Sequence, residues 1–267
     1  MLSADLRDAY DSQLREEGEL GGAHQVWRDG PVHWAIFDFG GFVTYRDLAG
    51  LSGAALDEAI ERAVRHFRDD TDVARFEWKT RGHDLPADLP QRLLAHGLVA
   101  EDVETVMVGE AAALIDVPSP PEGVVIAPVG HSGDARADLV AMLALQEEVF
   151  GPGRSPRVER MLAAHESGAE QCFIARAEGR VIGSGTIRPV VGTEFAGIWG
   201  GAIHPDWRGR GIYRALVAAR ARVALERGIR LIHSDCTDMS RPILERSGLV
   251  AVTTTTPYVW TRAPHPM

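Results

Sequence analysis

Apolar and polar residues along the chain alternate in short blocks that predict two successive sets of strands and amphipathic helices. In the first half, Asp5–Glu17 and Ala54–Phe67 are predicted as helices. Val32–Phe39, Phe42–Tyr45 and Val73–Lys79 are predicted as strands, followed by a helix over Leu89–Ala95 and a strand over Glu104–Gly109. In the second half, Val124–Val129 is a short strand. Asp134–Phe150 is a helix with Leu139, Met142, Leu143 and Val149 on its apolar face, and Pro156–Glu166 is a second, shorter helix. Gln171–Ala177, Val181–Val190 and Phe195–Ile203 form an antiparallel meander, broken by the turn residues Glu178-Gly179-Arg180 and Gly192-Thr193. A helix follows over Ile212–Arg227, with Gly228 at its C-terminal cap and Arg222 and Arg227 at its negative end. Ile229–Cys236 is a strand, Met239–Arg246 a short helix ended by Gly248, and Leu249–Trp260 the last strands. The order is that of an α+β or mixed α/β sheet.

The sharpest break is Val117-Pro118-Ser119-Pro120-Pro121-Glu122-Gly123, because closely spaced prolines continue neither a helix nor a central strand. It predicts a domain over 1–116 and a second over 124–267. The two parts end alike. Leu93, Gly97-Leu98-Val99-Ala100, Thr105 and Val108 recur at a constant offset as Leu244, Gly248-Leu249-Val250-Ala251, Thr256 and Val259, each in a strand-helix-Gly-strand context. This suggests a duplication.

Composition narrows the function classes. With 267 residues, 45% hydrophobic and 25% charged, the chain is not disordered as a whole. No apolar run approaches the roughly 18 residues of a membrane helix, so no membrane partner is expected. The start, Met1–Asp8, has acids where a signal peptide is apolar, so a cytoplasmic protein is expected. Cys172 and Cys236 lie in strand-like segments and are expected as reduced, buried thiols. The net charge of -10 argues against nucleic acid as a partner and suits a cationic small substrate. The histidines are scattered without ligand spacing, so no metal is expected.

The chemistry concentrates in Ile203-His204-Pro205-Asp206-Trp207-Arg208-Gly209-Arg210-Gly211-Ile212-Tyr213-Arg214. Here an apolar strand ends and a Gly/Arg turn opens directly into a helix. Glycines let backbone N–H groups converge on an anion, and the helix N-terminus adds unpaired donors and a positive dipole end. This is the composition of a pyrophosphate cradle. A Walker loop needs Gly-Lys-Ser/Thr, absent here, and a dinucleotide fingerprint needs glycine at 214. The arginines at 208, 210, 214, 220, 222 and 227 follow helix and phosphate logic rather than a nucleic-acid stripe.

The spacing Arg208-x-x-Gly211-x-Tyr213 after a meander strand resembles the Arg/Gln-x-x-Gly-x-Gly/Ala acetyl-CoA loop of the GCN5-related N-acetyltransferase (GNAT) family. The element order of 124–260 resembles the whole GNAT fold. The resemblance implies acetyl-CoA as co-substrate. It places the cofactor on Arg208, Gly209, Arg210, Gly211, Ile212 and Tyr213 for pyrophosphate, and on Ala202 and Ile203 for pantetheine and the thioester carbonyl. Tyr213 stands where the family has Gly or Ala, so its ring must point away from the phosphates. Leu244 stands where many members have a tyrosine that protonates the departing thiolate. Thr237, Ser240 and Cys236 are nearby in sequence, with helix capping, packing and a buried thiol as their ordinary roles. The strand Phe195–Ile203 carries no carboxylate base. Glu147 and Glu148 face either the acceptor groove or solvent, and a water chain to backbone carbonyls is the other base. Glycines 197, 200 and 201 suit a bulge.

In the first part Phe42–Tyr45 is followed by Arg46-Asp47-Leu48-Ala49-Gly50, with no glycine three residues after the arginine. This part resembles a smaller, degenerate GNAT-like domain unable to cradle pyrophosphate. The expected function is acetyl transfer to the amine of a small acceptor by direct ternary-complex transfer. O-acyl transfer, and a CoA-binding sensor that has lost chemistry, remain as alternatives.

Overall fold

A computed structural model describes residues 3–117, 119–131, 133–151 and 158–263. In chain order the first elements are α1 (Ser3–Gln13), β1 (Gln25–Asp29), β2 (Val32–Phe37), β3 (Gly40–Thr44), α2 (Gly53–Asp69), β4 (Arg75–Arg81), α3 (Leu89–Ala95), β5 (Val99–Ala100) and β6 (Glu104–Glu110). Then come β7 (Val125–Pro128), α4 (Ala135–Phe150), α5 (Val158–Glu166), β8 (Gln171–Ala177), β9 (Arg180–Pro189), β10 (Phe195–Ile203), α6 (Ile212–Glu226), β11 (Leu231–Cys236), α7 (Arg241–Arg246) and β12 (Val250–Thr261). The mixed α/β architecture expected from the sequence is present. β1 was not anticipated, and the segment expected as one helix to Glu17 instead ends at Gln13 and continues as a short 3-10 turn over Glu16–Glu19. The predicted start of a helix at Pro156 lies outside the described residues.

The described residues form two compact units. The first gathers those up to Val106, with Asp235–Asp238 and those from Ala251 on; the second holds Met107–Ser234 and Met239–Val250. The linear division into 1–116 and 124–267 differs from this in the final strands. β12 joins the first unit, where it pairs antiparallel with β4 from Thr255↔Arg81 to Thr261↔Arg75, and the end of β6 joins the second. These are the two strands carrying the repeated Thr and Val positions, so each repeat ends in the other's unit.

In the first unit β1, β2 and β3 form an antiparallel meander, and β3 lies parallel to β4. α2 covers the sheet with Leu56, Ile60, Ala63 and Phe67 against Val43, Phe76 and Trp78, all buried. At about 25 cal/mol per Å² of apolar area, burial of such side chains is the main stabilising term. A charged cluster is buried beside this core. Glu19 accepts from Arg81 Nη2 at 2.6 Å and Thr44 Oγ1 at 2.5 Å, and lies 3.2 Å from Lys79 Nζ. Lys79 also donates to Asp235 at 2.8 Å, and Arg81 Nε to the Tyr10 hydroxyl at 2.8 Å.

In the second unit β7–β8–β9–β10 is antiparallel and β11 lies parallel to β10. α4 packs Leu139, Met142 and Leu143 with Cys172 and Ile174 of β8. Asp134 caps α4 by accepting from the Ala137 N–H at 2.9 Å. Cys172 and Cys236 are both free and buried, as expected.

Candidate active site

The site is built where β10 leaves β11. The parallel pairing holds only at Phe195↔Leu231, Ala196↔Ile232 and Gly197↔His233, while β10 stays paired with β9 on its other edge. The parting coincides with a bulge. The register against β9 shifts between Trp199 and Ala202, and Gly200 takes a φ of 61°, which its lack of a Cβ permits.

Side chains fix this bulge. The Thr186 hydroxyl donates to the Trp199 carbonyl at 3.1 Å. The Ser184 hydroxyl and Gln146 Nε2 each donate to the Gly200 carbonyl at 3.1 Å. From α6, Arg220 Nη1 donates to the carbonyls of Trp199 and Thr186 at 3.3 Å, and its Nε to that of Leu216 at 3.0 Å. A trans peptide sets its N–H opposite its carbonyl. The N–H groups of Gly200 and Gly201 therefore point away from these anchors. Trp199 folds its indole over Gly197, edge-on to His233 with ring centroids 5.2 Å apart.

Ala202 and Ile203 are buried at the end of β10, opposite Ser184 and Gly183. A short turn over Pro205–Trp207 follows. Arg208 Nε donates back to the Ile203 carbonyl at 3.2 Å, and the Arg210 guanidinium lies 4.7 Å from the Trp207 ring centroid. Gly209 and Gly211 have φ of 75° and 80°, and no atom lies within 4 Å of a Cβ built on either. Gly211 caps α6 without a side chain, Ile212 is buried as its first residue, and the opening turn carries no acid. The result is an open, positively polarised helix end. Tyr213 turns its ring onto Gly201, where a Cβ would come within 2.8 Å of it, and its hydroxyl reaches Arg220. The ring thus faces the bulge.

The structure corrects one expectation. Arg220, grouped with the phosphate-directed arginines, is 1% exposed and serves the bulge. Burial lowers its pKa, opposed by the Tyr213 hydroxyl. Arg222 and Arg227 likewise donate to the carbonyls of Ile115 and Gly168. Glu148, offered as a base or a solvated acid, is exposed and lies 3.1 Å from His204 Nε2. The Asp206 N–H donates to His204 Nδ1 at 3.3 Å, so Nε2 carries the hydrogen facing Glu148. Glu148 thus braces the base of the loop. Thr237 is exposed, Ser240 makes no capping bond to α7, and Leu244 is fully buried. Sequence reasoning missed Gln146, Ser184 and Thr186. The signal for Arg220 was its place four residues after Leu216 and eight after Ile212, on the buried stripe of α6.

Residues 139–245 match the profile of the Acetyltransferase (GNAT) family. This stretch, less than half of the chain, is similar to a GNAT domain. The chain is similar in fold to a GCN5-related N-acetyltransferase from Kribbella flavida, with a TM-score of 0.71 and 16% identity over 99% of this chain and 97% of that one. A GCN5-related N-acetyltransferase from Sphaerobacter thermophilus has a TM-score of 0.60 and 19% identity over 88% and 78%. A tandem GNAT protein from the clavulanic acid biosynthesis pathway has a TM-score of 0.58 and 16% identity over 100% and 98%. The fold, with its second and smaller unit, is that of a tandem GNAT protein. No curated protein matches the chain in sequence. Among the described residues no helix is long and apolar enough to cross a membrane, and no group of three potential metal ligands converges.

Proposed function

We propose that the second unit transfers an acetyl group from acetyl-CoA to the amine of a small acceptor, directly within a ternary complex and in the cytoplasm. The observation that supports this most is the pairing of an open cradle with a parted strand. A side chain at 209 or 211 would extend into the space beside the α6 N-terminus, and the β10–β11 ladder stops at Gly197, with the Ser234 hydroxyl donating to the Ile198 carbonyl just beyond it at 3.0 Å. Acetyl-CoA supplies the activated thioester. The Arg208 N–H is taken by the Pro205 carbonyl at 3.2 Å, so the N–H groups of Gly209 through Tyr213 would hold its pyrophosphate, and the backbone of Ala202 and Ile203 its pantetheine arm. The N–H groups of Gly200 and Gly201, held by the pinned carbonyls, suit a thioester oxygen as negative charge develops on it.

An ammonium is not a nucleophile, and β10 offers no carboxylate. The amine therefore releases its proton to bulk solvent through water held by backbone carbonyls. The net charge of -10 suits a cationic small molecule and disfavours nucleic acid. Consumption of thioester with a panel of amines and alcohols tests the proposal. Turnover with amines supports it, turnover with alcohols alone indicates O-acyl transfer, and saturable CoA binding without turnover indicates a sensor.

Two predictions follow from the site's parts. A CoA thiol with a pKa near that of free cysteine, about 8.5, leaves without a dedicated acid. Ser240→Ala and Thr237→Val should each keep kcat within about tenfold of wild type, below the roughly 10²–10⁴ that a placed general acid contributes. Steady-state kinetics from about pH 6 to 9 should also show the rate rising as the amine deprotonates. A hundredfold loss in either variant, with CoA affinity intact, would identify the acid. Calorimetry should further give one CoA per chain, because the first unit has Ala49 where the loop needs glycine. Two equivalents would show a second working cradle.

A further inference from the structure

The first unit repeats the strand–loop–helix–strand order of the cofactor site. β3 pairs in parallel with β4 at Gly41↔Phe76, Phe42↔Glu77 and Val43↔Trp78 and no further, as β10 does with β11. Here the opening is filled from within. The buried Tyr45 donates its hydroxyl to Asp84 at 2.6 Å. Arg15, 3% exposed, donates from Nε to the Tyr45 carbonyl at 3.2 Å and from Nη2 to Asp84 at 2.8 Å.

What remains is a cavity of about 430 Å³ in front of this plug, within the size range of small-ligand pockets. Its walls include Leu48, Leu51, Leu85 and Pro86, and its polar floor includes Asp11 and His83. Leu85 is 75% exposed at the rim, apolar surface that a bound ligand would cover.

The charge of the floor selects the ligand. Arg15 is engaged by two carboxylates, Asp84 and Asp11, the latter at 3.5 Å. Asp47 also lines the cavity, while Arg46 is turned to the Ser12 carbonyl and to Glu16. An anion would therefore meet three aspartates. Asp11 is the reachable one, with 24% of its side chain exposed against 6% for Asp84. His83 Nε2 lies 3.0 Å from Asp11 Oδ2, and its Nδ1 lies 2.7 Å from the Thr253 hydroxyl. Burial raises the Asp11 pKa, but the His83 hydrogen bond and the charges of His83 and Arg15 outweigh it and hold the carboxyl below its ordinary value. An ionised carboxylate has about four acceptor positions, and His83 and Arg15 occupy two.

We propose that this cavity binds a small primary amine with an apolar body, its ammonium on Asp11 and its hydrocarbon between Leu48, Leu51 and Leu85. The site is separate from the acetyl-transfer reading and does not depend on it. Calorimetry on the full chain with 2-phenylethylamine, 2-phenylethanol and 3-phenylpropanoate tests it. The amine should bind saturably, with the alcohol and the carboxylate at least tenfold weaker. Asp11→Asn removes the charge and Leu85→Arg sets a cation at the exposed rim, so each should weaken the amine at least tenfold. Thermal melts of both variants confirm that they fold, and Leu85, being exposed, keeps the test open if Asp11→Asn does not. Absence of amine binding, equal binding of the carboxylate, or unchanged affinity in a folded variant would each overturn the proposal.

Discussion

Gly211→Asp should abolish measurable CoA binding while leaving the fold almost intact. Gly211 holds a φ of 80° at the N-terminus of α6, and the space beside it is empty. The substitution puts a Cβ and a carboxylate into that space. A charge about 4 Å from a phosphate, at an effective dielectric constant near 20, costs about 4 kcal/mol. A hundredfold loss of affinity, about 2.7 kcal/mol, is the minimum expected. The cost to folding is small, because aspartate visits the left-handed region more readily than most residues and meets no neighbouring atom. Gly211→Ala separates the two causes, since it adds the Cβ without the charge and should lose far less affinity than the aspartate. Calorimetric titration of wild type and both variants with CoA, alongside their melting temperatures, is the measurement. Equal affinity in wild type and Gly211→Asp would remove the cradle from the proposed function.

The local geometry of the loop was the legible part. Glycines 209 and 211, the end of β10 at Ala202 and Ile203, and the inward turn of Tyr213 follow from local rules about turns, helix ends and side-chain size. The scaffold behind them was not legible. Gln146, Ser184, Thr186 and Arg220 meet at two carbonyls only because α4, β9 and α6 converge on one bulge. None has a neighbour in sequence that marks the meeting. Arg220 shows the difficulty: a cation within an apolar helix stripe suggests burial, yet its partners are backbone carbonyls, which no sequence pattern marks. The final strands show the same limit. The repeated Leu-x-x-x-Gly-Leu-Val-Ala pattern places β5 and the start of β12 after their helices, but β12 completes the first unit through its pairing with β4. Pairing between strands so distant in sequence is a tertiary choice, and alternation fixes which face is buried without naming the neighbour.

The first unit also holds the buried charged cluster around Glu19, to which Asp235 belongs, and there the largest stability effect is expected. Glu19, Asp235, Lys79 and Arg81 form a balanced set of two anions and two cations, with the Arg81 side chain 1% exposed and that of Glu19 13%. Glu19→Ala leaves both cations to Asp235. Breaking a buried pair from one side costs about 3–5 kcal/mol. At about 2–4 °C per kcal/mol for a chain of this size, that is a melting decrease of about 6–20 °C. The same residue sets an acid limit. Burial alone would raise the Glu19 pKa, but the charges of Arg81 and Lys79 and the Thr44 hydroxyl outweigh it and hold the carboxyl at about 2, against 4.5 when unfolded. A depressed pKa stabilises the fold fully above the unfolded value, and the contribution is lost as pH falls toward the folded one. Wild type should therefore lose about 3 kcal/mol from this group between pH 4.5 and 2. Glu19→Ala should start lower and lack that part of the decline, so the two stability curves converge on acidification. Denaturant unfolding across this range measures both. A constant gap between the curves, or a loss under about 1 kcal/mol at pH 7, would show that Glu19 is not the anion that neutralises Arg81 and Lys79.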